Sequence, residues 1–157
     1  MNKKLVAYFS ATGTTAKVAA RLADTLGAEL YEIRPAQSYN QADLDWRDQT
    51  SRSTLEMTNA ASRPAICGKL GSMDAYGTVF VGFPIWWYKA PTIINTFLEQ
   101  YDWNGKTVIP FATSGGSDMA HVNENLRASC PGAVLKEGAV HDPAISIAEL
   151  AMWASRF

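Results

Sequence analysis

The sequence is poor in the residue patterns that mark several specialised chemistries. Its two cysteines, Cys67 and Cys130, stand far apart with no C-x-x-C pair. No histidine is spaced to complete a zinc site with them, so the pair fits reduced, inert thiols better than a disulfide framework. Charged residues make up 18% of the 157 positions and the formal net charge is −1. The basic stripe that grips nucleic acid is therefore missing, and no nucleic-acid partner is expected. No apolar run approaches the roughly 18 residues of a membrane helix. The short run behind Met1-Asn2-Lys3-Lys4 has no signal cleavage site, so a cytoplasmic protein without a membrane partner is expected. No His/Cys/Asp/Glu cluster points to a metal. Neither G-x-x-x-x-G-K-[ST] nor G-x-G-x-x-G occurs, so the usual loops for nucleoside triphosphates and dinucleotides are absent.

What remains is a chain with 47% hydrophobic residues, enough to bury one core, and a single domain over residues 1–157 is expected. Its most informative stretch is Ser10-Ala11-Thr12-Gly13-Thr14-Thr15, set between the apolar run Lys4 to Phe9 and a helical pattern. A helix N-terminus offers unpaired N–H groups and partial positive charge, and hydroxyls on small residues add donors. One glycine and no charge in this loop suit a terminal phosphate monoester held by neutral donors, with Thr12 and Thr15 expected to bond it.

Periodicity orders the rest. Lys4 to Phe9 reads as a strand buried on both faces. Thr14 to Leu26 reads as a helix with Val18, Leu22 and Leu26 inward and Gly27 past its end. Ala28 to Ile33 reads as an edge strand, since it carries Glu29 and Glu32. The long polar stretch from Ala36 to Ala75 is helix-compatible between Asn40 and Ala60. Thr78 to Phe83 is a clear strand running into Pro84-Ile85-Trp86-Trp87-Tyr88, and Pro91 opens a helix that buries Ile93, Ile94, Phe97 and Leu98. Thr107 to Thr113 is a strand in which Pro110 is awkward, because proline donates nothing to a ladder. It ends in Ser114-Gly115-Gly116-Ser117-Asp118, where Asp118 is expected to cap the following helix around Val122 and Leu126. Ala133 to Val140 holds a weaker fifth strand. Ser146 to Glu149 forms a capping box for a last helix with Ile147, Leu150, Ala154 and Phe157 on its inner face. Trp46, Trp103 and Trp153 read as packing residues.

Alternating strands and helices predict an α/β fold, a three-layer doubly wound parallel sheet. Such sheets bind ligands beyond the strands' carboxyl ends, where all three unusual loops fall. A neutral phosphate cradle, an aromatic loop and a donor-rich Gly-Ser loop together suit a planar ring bearing a phosphate tail. The two consecutive indoles cannot both point inward, so at least one of Trp86 and Trp87 is expected to meet that ring.

With these residues in view, the chain closely resembles the flavodoxin family over nearly its whole length. Tyr8-Phe9-Ser10-Ala11-Thr12-Gly13-Thr14-Thr15 looks like the family's phosphate loop. Gly82-Phe83-Pro84-Ile85-Trp86-Trp87-Tyr88 and Thr113-Ser114-Gly115-Gly116-Ser117 look like its two ring loops. The resemblance implies a flavodoxin-like five-stranded sheet of order 2-1-3-4-5 and non-covalent flavin mononucleotide (FMN). It also implies low-potential electron transfer between redox partner proteins, a reductase and an acceptor. FMN-dependent NAD(P)H oxidoreductases acting on quinones or other small acceptors share fold and cofactor, so that activity is the alternative. No residue is singled out as catalytic.

Overall fold

The computed structural model describes residues 3–114 and 118–157. The elements in order are β1 (Lys3–Tyr8), α1 (Thr14–Leu26), β2 (Glu29–Glu32), α2 (Arg52–Thr58), β3 (Tyr76–Pro84), α3 (Thr92–Leu98) and β4 (Thr107–Thr113). They are followed by α4 (Val122–Leu126), β5 (Val134–Leu135), β6 (Ala139–Val140) and α5 (Ile147–Ala154). The sheet order is β2-β1-β3-β4-β5, with β6 also pairing β4, and every pairing is parallel. This is the expected 2-1-3-4-5 arrangement of a flavodoxin-like α/β fold.

The register explains the layers. Leu5, Val79 and Val108 stand side by side on neighbouring strands, as do Val6, Phe80 and Ile109 one residue on. Successive side chains in a strand face opposite ways, so the first row packs against Ile93, Ile94, Phe97, Val122 and Leu126 of α3 and α4. The second row packs against Val18, Leu22, Leu150 and Ala154 of α1 and α5. Both faces of the central strands are dry, which is why their sequence reads as continuously apolar.

Four expectations need correction. Only Arg52–Thr58 of the Asn40 to Ala60 stretch is helical. Upstream, Asn40 and Asp43 side chains accept each other's backbone N–H, Asp45 accepts from Arg47 and Asp48 from Thr50. Short polar side chains here take the backbone donors that a helix would use. Trp46 is 67% exposed with the Arg47 guanidinium 5.2 Å from its ring centroid, so it is not a packing residue, whereas Trp103 is buried and donates to Leu98 O at 2.6 Å. Ile147 is exposed, and the inner face of α5 is formed by Leu150 and Ala154 with Trp153 and Phe157 packed alongside. Asp118 accepts from Ala120 N in a turn, and α4 starts four residues later without a side-chain cap.

The fifth strand is split in two, and the split resolves Pro110. Carbonyls of Lys106, Val108 and Ala112 accept from Val134, Lys136 and His141 respectively. The spacing of two then five residues against two then four leaves one extra residue on the edge side, a bulge. Alternate residues of a strand face the same neighbour, so Pro110 turns its missing N–H towards the gap between β5 and β6. Gly138 lies in that gap, where a Cβ would stand 1.6 Å from the Pro110 carbonyl oxygen, a close approach only glycine permits.

His141 follows β6, is 5% exposed and leaves Nε2 without a hydrogen-bond partner. Its ring stands edge-on to Trp153 at 4.5 Å, and burial pushes its pKa below 6.5. The unfolded chain therefore binds this proton more readily than the folded one. His141 contributes stability above about pH 6.5 that is lost as pH falls through that value towards the folded pKa. Urea unfolding across pH 5 to 8 should show this loss in the native chain and a flatter profile in His141→Phe.

Candidate functional site

β1 leaves the sheet when Phe9 N donates to Gly82 O at 2.9 Å, and the chain then turns sharply into α1. Ser10 Oγ accepts the Gly13 N–H at 3.0 Å. Gly13 sits at the head of α1 with φ 91°, a left-handed conformation that costs a glycine little. No side chain caps α1 and its first turn holds no acid, so an anion arriving there meets N–H groups and hydroxyls without a competing carboxylate. Thr12 and Thr14 hydroxyls lie 3.3 Å apart at this entrance.

Thr15 points inward. Its hydroxyl is buried and lies 2.8 Å from the equally buried hydroxyl of Thr113 at the end of β4, tying the first loop to the third across 98 positions of sequence. The two residues help line an open cleft of about 300 Å³ with Ala11, Thr12, Thr14, Pro84, Ile85, Ser114 and Pro143. None of these side chains is ionisable. The cleft thus brings together parts of all three loops singled out in the sequence; Gly115, Gly116 and Ser117 lie outside the described residues. Pro143, from the loop after β6, was not anticipated, although the rule that places ligands at the carboxyl edge applies to that loop too.

The aromatic loop is a hairpin. Trp86 and Lys89 exchange two backbone hydrogen bonds, both 3.1 Å, around Trp87 and Tyr88 with φ of 51° and 63°. Two left-handed central residues are what a type I′ turn requires, and Asn-Gly usually supplies them. Bulky side chains in this region cost roughly 1–3 kcal/mol each and persist only where the surroundings enforce them. Trp86 packs edge-on against Phe9 at 5.8 Å and Tyr39 at 5.6 Å, while Trp87 and Tyr88 are 39% and 50% exposed. The two indoles therefore point different ways, Trp86 into the fold and Trp87 to the surface. Lys89 lines a separate cleft with Met57, Arg63 and Asn95.

Residues 3–157 match the sequence family described as Flavodoxin. The chain belongs to the flavodoxin family. Two relatives of known structure, named as flavoproteins from Bacteroides uniformis ATCC 8492 and Bacteroides eggerthii DSM 20697, are 49% and 47% identical to it. Each match covers 98% of this chain, with 97% and 96% of the relative's, at a TM-score of 0.92 in both cases. The flavoprotein of Lactobacillus acidophilus NCFM, solved in complex with FMN, is 23% identical over 98% of this chain and 99% of its own, with a TM-score of 0.75. At that identity it speaks for the fold alone. No match was found among functionally curated proteins.

The Thr15–Thr113 pair is the polar joint of this flavodoxin cleft. Thr113→Val strands a buried Thr15 hydroxyl and should lower stability by about 1–3 kcal/mol. Thr15→Val combined with Thr113→Val removes both partners and should recover part of that loss. A double-mutant cycle by urea denaturation measures the coupling.

Proposed function

We propose that this chain binds FMN non-covalently across the carboxyl edge of its sheet and carries electrons at low potential between a reductase and an acceptor protein. The observation that carries the reading is the chemistry of the cleft: hydroxyls of Thr12, Thr14, Thr15, Thr113 and Ser114 with no ionisable side chain among the lining residues. Such a donor set fits a phosphate monoester at the head of α1. The apolar flank of Pro84 and Ile85, with the exposed hairpin nearby, fits a flat ring system.

Bound FMN supplies one- and two-electron redox chemistry; the chain's own residues hold its ends. Gly13 and the uncapped start of α1 receive the phosphate, and Thr113 orients Thr15 from behind. The hairpin presents Trp87 and Tyr88 at the surface, where electrons pass to a docked protein without the reactants touching. The sequence has no G-x-G-x-x-G motif for a dinucleotide, which supports a carrier.

The alternative, an FMN-dependent NAD(P)H oxidoreductase acting on quinones or other small acceptors, gains from one observation. Trp86 is withdrawn against Phe9 and Tyr39, so of the three loop aromatics only Trp87 and Tyr88 are left to cover a ring face. An uncovered face admits the stacking that hydride transfer needs.

Two measurements test these readings. Thr12→Val with Thr14→Val should weaken FMN by at least about a hundredfold through lost charge-assisted hydrogen bonds while leaving riboflavin, which lacks the phosphate, nearly unchanged. Equal losses for both ligands would count against the phosphate cradle. Steady-state oxidation of NADH and NADPH by the FMN-loaded protein, with and without a quinone, should be slow unless a flavodoxin reductase is added. Direct turnover on the order of 1–10³ per second favours the oxidoreductase.

A further inference from the structure

The connection between β2 and β3 is far longer than a crossover requires, and a compact domain seldom carries such a segment without use for it. It reaches the inward-facing indole of the aromatic hairpin through Tyr39. The Tyr39 ring lies 5.5 Å from Phe9 and 5.6 Å from Trp86, completing a triangle of rings in which each meets the other two. On its far side the Arg52 guanidinium stacks 3.7 Å from the ring centroid. The Tyr39 hydroxyl donates to Glu56 Oε1 at 2.6 Å, and Arg52 Nε donates to Glu56 Oε2 at 3.1 Å. Arg52 also donates to Gln37 O at 2.7 Å. Arg52 and Glu56 stand one turn apart on α2, whose start is capped by Ser51 accepting from Thr54. Tyr39 is therefore clamped by a rigid unit formed within the segment.

The hairpin needs such a support. Its two central residues are left-handed without glycine or asparagine, and both side chains are exposed. Trp86 alone of the three aromatics faces inward. We propose that residues 39–56 brace the aromatic hairpin, with Tyr39 as a positioning residue that keeps Trp86 seated and the Trp86–Lys89 turn formed before any ligand arrives. The segment thus pre-organises the ring end of the cleft, as the phosphate loop serves the other end.

Amide hydrogen exchange of the ligand-free protein, followed by NMR, tests the brace without reference to any cofactor. The reporters are the Trp86 and Lys89 amides, which close the turn. In Tyr39→Ala their protection should fall at least tenfold while Phe80 and Ile109 in the sheet keep theirs. Arg52→Met, which leaves the ring but removes the clamp, should give a smaller loss confined to the same two amides and serves if Tyr39→Ala does not fold. Unchanged protection, or an equal fall throughout the sheet, overturns the proposal. A second arm rests on the FMN reading: Tyr39→Ala should weaken FMN and riboflavin by the same factor, about tenfold, because the ring end is affected and the phosphate end is not. A native chain that binds neither flavin while the exchange result holds refutes FMN and leaves the brace standing. Tight FMN binding that Tyr39→Ala does not weaken overturns the brace's part in the site.

Discussion

Every strand of the sheet runs the same way, so every strand delivers its outgoing loop to one edge. Parallel pairing between β1, β3 and β4 is continuous, from Lys4 against Thr78 and Thr107 up to Gly82 against Phe111. That ladder fixes where Ser10, Pro84 and Ser114 emerge relative to one another. Helices cover both faces of the sheet because parallel strands need crossovers, and the crossovers in turn make the strands apolar on both sides. The cleft is a consequence of this geometry, since the loops leaving the strands and the first turn of α1 line it beyond the carboxyl ends.

Within the cleft, polarity is supplied without charge. Hydroxyls and backbone N–H groups line it, and Thr15 and Thr113 satisfy one another where water does not reach. A buried hydroxyl left alone is costly, so the pair also sets the distance between the first and third loops. Two cations serve elsewhere: Lys89 lines a separate cleft, and Arg21 donates to Pro143 O and Ile145 O, holding the loop that carries the cleft's fourth wall. Anion binding at such a site depends on aligned dipoles, which need no counter-charge to be buried with them.

Much of the architecture was legible because short-range rules agreed. Lys4 to Phe9 reads as a two-sided strand, and Thr14 to Leu26 has both its period and Gly27 at its end; both matched within a residue at either terminus. Misreadings arose where side chains intervene in backbone bonding. Asn40, Asp43, Asp45 and Asp48 divert donors that helix propensity assumes are available, and Asp118 closes a turn instead of capping α4. Pro110 contradicted its strand until the partner strand was known: the missing donor matters only if something faces it, and a bulge at Gly138 ensures that nothing does.

By itself the sequence determined the alternation of elements, a parallel sheet, and the three loops gathered at one edge, because apolar periodicity and glycine placement act over a few neighbouring residues; the strand order came from the resemblance to the flavodoxin family. The tertiary structure alone decided how those loops are used. Trp86 and Trp87 are chemically identical and adjacent, yet one is packed and the other exposed, since a left-handed turn rotates successive side chains apart. Tyr39 meets Trp86 across 47 positions of chain, and Thr15 meets Thr113 across 98. Contacts at such separations depend on the register of β1, β3 and β4 and on the clamp formed by α2, which no local pattern of residues records.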